Sequence, residues 1–301
     1  MKKIGEFIMS PQIGQMKQDS LLSLSKEKHI QSFLKENHID SSMMNEYWVE
    51  LLDFNDDYKT CMNCTSLESC PKDNQGMKKN LIYRDHEISI EIESCQFSKK
   101  WEDKRNLLEK FVVTNVKEEM LLTDLASLDI LNKQDLTPNE KMALAYVIRY
   151  VKGQGDKGLF LHGDMGCGKT SLLAGLMNAL AKAGKNVGFI HFPTYLIDLK
   201  SSFSTGETEY ALDKIMKTDY LLLDGIGEEN VTAWSRDEIL LSILSYRLLN
   251  QLPTFFTSMY GYKDLTKVYT IKKGDEIRVN TLISKMMQLT QEIMLDGGKI
   301  K

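Results

Sequence analysis

Gly163-Asp-Met-Gly-Cys-Gly-Lys-Thr170 is a complete P-loop, and it lies between a short apolar run and a helix-like run. Its glycines let successive backbone N–H groups turn inward around phosphate groups, which a helix N-terminus also attracts. A lysine at this spacing reaches the outer phosphates, and the threonine hydroxyl is a ligand for Mg²⁺. The stretch therefore predicts a site for ATP and Mg²⁺, with a strand before it and a helix after it.

A second part of the predicted nucleotide site follows about fifty residues later. Tyr220-Leu-Leu-Leu-Asp224 has the form of a Walker B strand, whose aspartate orients Mg²⁺ or the water bound to it. We predict Lys169 and Asp224 as catalytic residues and Thr170 as the magnesium ligand. The predicted cofactor-binding residues are Gly163, Asp164, Met165, Gly166, Cys167, Gly168, Lys169, Thr170, Ser171 and Asp224.

The composition is that of an ordinary soluble protein. Of the 301 residues, 42% are hydrophobic and 27% are charged, and the formal net charge is −4. Because no apolar run is long enough to span a bilayer and the apolar stretch at the N-terminus is too short for a secretory signal, we expect a cytoplasmic protein with no membrane partner. The net charge excludes nucleic-acid binding through a global basic surface.

The patterning along the chain predicts two domains of different class. From Leu21 to Phe54, apolar residues recur three and four apart, as in short amphipathic helices, and residues 81–92 alternate as in a hairpin. We expect an α+β domain over residues 1–100, a linker helix over 101–120 and a nucleotide-binding domain over 121–301.

The second domain is predicted to be α/β. Thr137-Pro-Asn-Glu140 carries the signals of a helix N-terminus, namely an N-cap threonine, a proline at the first position and a capping-box glutamate. Short apolar runs beyond it alternate with helical patterns, which favours a parallel sheet with helices on both faces. The runs are residues 158–162, 187–192, 219–223 and 253–258.

Four of the five cysteines lie within one short segment. Cys61-x-x-Cys64 places two thiols on one tight turn, and Cys70 and Cys95 can join them from a loop and from the end of the hairpin. Because disulfides are rare in a reducing compartment, the cluster favours a structural Zn²⁺ site. His86 is an alternative fourth ligand, although its place in the predicted turn favours a solvated side chain.

Three longer stretches carry a family resemblance. Asp224-Gly-Ile-Gly-Glu-Glu-Asn-Val-Thr-Ala-Trp-Ser-Arg-Asp-Glu238, followed by Leu252-Pro-Thr-Phe-Phe-Thr-Ser258, resembles the AAA+ domain of bacterial replicative helicase loaders of the DnaI and DnaC type. Gln31-Ser-Phe-Leu-Lys-Glu-Asn37, ahead of the cysteine segment, is similar to the DnaI branch. The resemblance implies an N-terminal zinc domain that binds the hexameric replicative helicase. It also implies an AAA+ domain that binds ATP and single-stranded DNA during primosome assembly in DNA replication.

Several positions differ from the pattern of that family. Its paired Walker B acids correspond here to Asp224 and Gly225, and its polar sensor falls on Met259. The arginine that reaches a neighbouring subunit falls on Lys285, with Arg278 as an offset candidate, and the last sensor arginine falls on Met294. Losing a base, a water-positioning group and a transition-state cation each typically costs about ten- to a thousandfold in rate. We therefore expect slow hydrolysis, and we expect an aspartate at position 225 to raise it.

The resulting hypothesis is a helicase loader in which ATP acts mainly as a conformational ligand with weak hydrolysis. A transposition helper ATPase that acts on target DNA would share the AAA+ core without the zinc domain. A non-catalytic adaptor would hold the helicase and show no magnesium-dependent ATP affinity. Whether the chain forms an oligomer on the helicase is left open.

Overall fold

The computed structural model describes residues 11–133, 135–201 and 208–296. The chain divides into two compact units between Lys104 and Arg105. The first unit contains the four clustered cysteines, and the second contains the P-loop. Across the described ranges, no helix combines the length and the apolar character that a membrane span requires.

Helices and one antiparallel hairpin make up the first unit. They are α1 (Pro11–Leu24), α2 (Lys28–Glu36), α3 (Ser41–Glu46), α4 (Trp48–Met62), β1 (Met77–Arg84) and β2 (Glu87–Ser94). Leu24, Ile30, Met44 and Leu51 are buried in one small core, and Leu81 of the hairpin packs against it. The apolar positions three and four apart thus give the helices a common buried face, as the sequence pattern predicts.

The hairpin prediction is confirmed, and its turn explains the position of His86. β1 and β2 pair in antiparallel register up to Arg84 and Glu87. Asp85 and His86 between them have φ angles of 52° and 65°. Two positive φ angles are characteristic of a type I′ turn, whose twist matches that of the paired strands.

The predicted linker helix over residues 101–120 is wrong in its second half. Helix α5 (Gln96–Glu109) ends early, and it is followed by strand β3 (Phe111–Thr114) and the short helix α6 (Glu118–Leu121). Phe-Val-Val-Thr is a run of aromatic and β-branched residues that suits a strand, and β3 pairs in parallel with a strand of the second unit. Phe111 is buried in the core of that unit. The sequence pattern did not reveal this edge strand because the residues before it are densely charged.

The second unit is built on a six-stranded sheet in which every neighbouring pair is parallel. After β3, its strands are β4 (Gly158–His162), β5 (Val187–His191), β6 (Tyr220–Asp224), β7 (Thr254–Ser258) and β8 (Thr290–Met294). Their order across the sheet is β3-β5-β6-β7-β4-β8. The four predicted strands are confirmed, and the sequence pattern missed the two edge strands.

Helices cover both faces of this sheet. They are α7 (Asp129–Asn132), α8 (Pro138–Val151), α9 (Lys169–Lys182), α10 (Phe192–Ser201), α11 (Thr208–Lys217), a π-helical segment (Trp234–Leu240), α12 (Leu241–Leu249), α13 (Tyr262–Tyr269) and α14 (Glu276–Leu289). Leu159 and Leu161 of β4 enter one buried cluster, whereas Phe160 between them enters the other. Successive strand residues point to opposite faces, so a strand such as β4 that is covered on both faces is largely apolar. This confirms the α/β architecture.

The carboxyl ends of the parallel strands meet at one edge of the sheet. The P-loop leaves β4 there, and Asp224 ends β6 at the same edge. Helix α8 begins with the predicted capping box, in which Glu140 and Thr137 bond each other's backbone N–H groups. In open α/β sheets, this edge is where ligands bind.

Candidate nucleotide-binding site

Three glycines give the P-loop its shape. Gly163, Gly166 and Gly168 have φ angles of 142°, 83° and 90°. A Cβ atom at Gly163 would lie 2.3 Å from the carbonyl oxygen of Leu295, so a larger residue would displace the backbone. The loop therefore curls tightly between β4 and the N-terminus of α9, where free N–H groups attract an anion.

Lys169 holds its ammonium group inside the curled loop. The residue is 8% exposed. Its Nζ donates to the carbonyl oxygens of Gly163 and Asp164 at 2.8 Å each. A buried ammonium without an anion needs such acceptors, and a phosphate group could take their place. The side chain is thus held at the position from which a P-loop lysine reaches phosphate oxygens.

The two predicted magnesium residues meet at the edge of the sheet. Thr170 Oγ1 donates to Asp224 Oδ1 at 2.6 Å, although 54 residues separate them. Thr257 Oγ1 donates to the same carboxylate oxygen at 2.6 Å and accepts the N–H of Gly225 at 3.0 Å. Sequence reasoning missed Thr257. The available signal was a polar residue near the carboxyl end of the apolar strand that follows β6 in the chain.

A cavity of about 520 Å³ opens over these groups. Lys169, Thr170 and Asp224 line one part of it, and residues 127–130 line another. Leu128 and Ile130 in that second segment offer apolar surface, which suits the flat face of a base. The sequence analysis predicted no role in nucleotide binding for this segment, since it precedes the P-loop by more than thirty residues and belongs to no motif.

Three of the predicted cofactor-binding residues do not line the cavity. Gly163 and Asp164 instead bind Lys169 through their carbonyl oxygens. Cys167 is 3% exposed and belongs to a buried apolar cluster, where its small side chain fills space beneath the loop. The structure places Met165, Gly166, Gly168 and Ser171 at the cavity wall with the remaining predicted residues.

The conformation of the loop after β6 bears on the effect expected of an aspartate at position 225. Gly225 has a φ angle of 77°, which costs a residue with a side chain about 1–2 kcal/mol. Glu229 in the same loop is buried, and its carboxylate accepts the Tyr269 hydroxyl at 2.7 Å and the Gly227 N–H at 2.8 Å. Burial raises the pKa of Glu229. An aspartate at position 225 would strain this anchored loop, so the structure does not support the expectation that it raises turnover.

The residues at the predicted sensor positions lie in different environments. Met259 lines the cavity and is 43% exposed. Arg278 donates to Asp237 at 2.9 Å, and Lys285 is half-buried on α14. Met294 lies on edge strand β8 rather than on a helix. A thioether cannot supply the cation or the amide that these positions would need in a transition state.

The four clustered cysteines surround one small cavity in the first unit. Cys61, Cys64, Cys70 and Cys95 line a space of about 220 Å³, and His86 does not. Hydrogen bonds from the backbone N–H groups of residues 72 and 76 lower the pKa of Cys70. Over the described residues, however, no three His, Cys, Asp or Glu side chains are grouped closely enough to hold a metal ion. The thiols are therefore neighbours without being arranged as ligands.

Known proteins share much of this chain. Residues 93–296 match the family model for IstB-like ATP binding proteins. The replicative helicase loader DnaI of Bacillus subtilis is 28% identical over 255 residues, which cover 82% of this chain and 80% of that protein.

Two crystal structures agree with these matches. A candidate primosome component from Streptococcus pyogenes serotype M3 is 28% identical, with a TM-score of 0.54, and the match covers 65% of this chain and 98% of that one. A crystal structure of DnaI has the same identity and TM-score and covers 63% of this chain and 96% of its own. These relatives confirm the resemblance to helicase loaders of the DnaI type, and the P-loop, the parallel sheet and the family match together place the chain in the family of IstB-like ATP binding proteins.

Proposed function

We propose that this protein is an ATP-binding loader of the replicative DNA helicase. One observation favours a helicase loader over a transposition helper. The family match spans residues 93–296, almost all of which lie in the second unit. The similarity to DnaI extends over 255 residues, more than the second unit contains, so it reaches into the first unit as well. A transposition helper would need only the second unit.

In this proposal, the P-loop cavity takes ATP with Mg²⁺. Lys169 and the N-terminus of α9 would hold the phosphates, and Thr170 and Asp224 would hold the metal directly or through water. Their shared hydrogen bond of 2.6 Å places two oxygen ligands side by side, which suits a hard cation. Mg²⁺ would supply charge that offsets the phosphate oxygens. The nucleotide would act mainly as a conformational ligand, with slow hydrolysis.

The first unit is proposed to contact the helicase and to hold Zn²⁺ through Cys61, Cys64, Cys70 and Cys95. Three observations support the zinc proposal. The four thiols line one cavity, the donor set is entirely sulfur, and the apolar cluster found among the described residues of the first unit has four buried members. Small domains with little core commonly take part of their folding free energy from a structural zinc ion. The protein would act in the cytoplasm, and contact with single-stranded DNA would be made by the second unit.

Metal analysis of the purified chain tests the zinc proposal. We expect one zinc ion per chain, released by thiol reagents and absent from Cys70→Ser. Release should unfold the first unit, because structural zinc contributes on the order of 10 kcal/mol to such modules. Cys167→Ser is the matched control, since this cysteine lies in the P-loop and should leave the zinc content unchanged. A well-folded parent chain without zinc would contradict the proposal.

Affinity purification with the hexameric replicative helicase tests the proposed role. The full chain should retain the helicase, and a chain that begins at Gln96, where α5 starts, should not. The shortened chain should still bind ATP, since it keeps the whole second unit. If the full chain did not bind the helicase and instead bound target DNA together with a transposase, the transposition hypothesis would be correct.

A further inference from the structure

The loop after the Walker B strand returns an acid to the cavity. Asp224 is followed by Gly225, so the second acid expected at this position is missing from the sequence. The N–H of Glu228 donates to the carbonyl oxygen of Gly225 at 3.1 Å, which closes a tight turn. The turn brings Glu228 back to the edge of the sheet that it has just left.

The carboxylate of Glu228 lies beside the point where a side chain at position 225 would begin. A Cβ atom built on Gly225 would be 3.4 Å from Glu228 Oε2 and 3.3 Å from His191 Nε2. Glu228 also lines the cavity that contains Lys169 and Asp224, whereas His191 does not. The space that an acidic side chain at position 225 would enter is thus bordered by a carboxylate from three residues later.

Strong contacts on both sides hold this turn in place. The Ile226 N–H donates to the Thr257 carbonyl oxygen at 2.9 Å, and Ser258 Oγ donates to the Ile226 carbonyl oxygen at 2.6 Å. On the other side, Glu229 is buried and bonded to Tyr269. Glu228 itself is exposed to the cavity, and no hydrogen bond or ion pair to its carboxylate is found in the described part of the chain. A fixed backbone that presents a carboxylate to the cavity suits a general base, which must be positioned to accept a proton.

We propose that Glu228 is the general base for ATP hydrolysis, taking the role of the acid missing at position 225. The inference rests on the proposed binding of ATP with Mg²⁺. The oxygen of a water molecule bonds to the γ-phosphorus while the bond from that phosphorus to the bridging oxygen breaks and leaves its electron pair on ADP. The proton of the water passes to the Glu228 carboxylate and then to the released phosphate. Slow hydrolysis then reflects the missing sensor group at Met259 rather than the absence of a base.

Glu228→Gln separates this role from nucleotide binding. Single-turnover hydrolysis, with the full chain in excess over ATP, should slow by about a hundredfold or more, since general bases typically contribute about 10²- to 10⁴-fold. The dissociation constant for Mg·ATP, measured by titration with a fluorescent analogue, should change by less than about threefold. Thermal unfolding should be unchanged because the side chain is exposed. Glu238→Gln removes an equal charge outside the cavity and should keep the parent rate.

The other possible outcomes distinguish failure of the role of Glu228 from failure of the proposed function. Equal hydrolysis by the parent and Glu228→Gln, or a parent that binds Mg·ATP without hydrolysing it, overturns the role of Glu228 and leaves the ATP-binding loader standing. Weaker binding of Mg·ATP by Glu228→Gln, with ATP binding in EDTA unchanged, would make Glu228 a magnesium ligand and also overturns the proposal. A parent chain that does not bind ATP removes the proposed function together with this inference.

Discussion

Replacing Lys169 with alanine is expected to weaken ATP binding strongly and to lower turnover. The ammonium group already lies at the centre of the P-loop, where it donates to two carbonyl oxygens at 2.8 Å. In the complex, it would exchange these for phosphate oxygens. A hydrogen bond to a charged group contributes about 1.5–3 kcal/mol. The affinity for Mg·ATP should therefore fall by about a hundredfold, which calorimetric titration measures directly.

Lys185→Ala provides the matched control. This lysine is exposed just beyond the end of α9, so its removal changes the net charge equally without touching the loop. It should bind Mg·ATP as the parent does. Circular dichroism should show that both variants are folded. If Lys169→Ala kept the parental affinity, the nucleotide would bind elsewhere, and the site built from the P-loop and Asp224 would be wrong.

Arg247→Met is expected to cause the largest loss of stability. Arg247 is fully buried in α12, at 0% exposure. Its guanidinium donates to Thr254 Oγ1 at 2.7 Å and to the carbonyl oxygens of Thr218 and Pro253 at 2.7 Å each, with longer bonds to three further carbonyl oxygens. These acceptors lie at the C-terminal end of α11 and at or just before the starts of β6 and β7. The side chain thus joins the two central strands to the helices beside them.

Methionine keeps much of the side-chain volume of Arg247 and removes every donor. Several buried carbonyl oxygens would lose their partner, and each unsatisfied group costs about 1–3 kcal/mol. We expect the free energy of unfolding of the second unit to fall by about 3–5 kcal/mol. Urea titration should follow this unit alone, through Trp234 fluorescence in a chain whose Trp48 and Trp101 are replaced by phenylalanine.

The control for this change is Arg149→Met, also within a helix of the second unit. Its side chain is 49% exposed, and it makes a 3.7 Å ion pair with Asp156, one weak bond to a carbonyl oxygen and a cation–π contact with Tyr146. Exposed pairs of this kind contribute about 0–1 kcal/mol, so stability should barely change. A loss of less than 1 kcal/mol in Arg247→Met would mean that water replaces the guanidinium, contrary to the tight packing around it.

Local patterns in the sequence were sufficient for the elements whose formation depends on neighbours in the chain. The glycine spacing of residues 163–170 predicted the phosphate loop, because positive φ angles and free N–H groups are local properties. Four apolar runs predicted the central strands, and alternation predicted the hairpin. Strand β3 was missed because four residues carry too little periodic signal beside a charged helix.

The sequence by itself determined that this chain has a P-loop, a parallel sheet and a cysteine-rich segment, because each follows from residue type and short spacing. Only the tertiary structure decided what surrounds the phosphates. Thr257 reaches Asp224 because β7 lies beside β6, and Glu228 returns to the cavity because Gly225 turns the backbone. The first contact depends on the order of the strands in the sheet, and the second depends on the backbone conformation at Gly225. Neither can be read from the periodicity of the sequence.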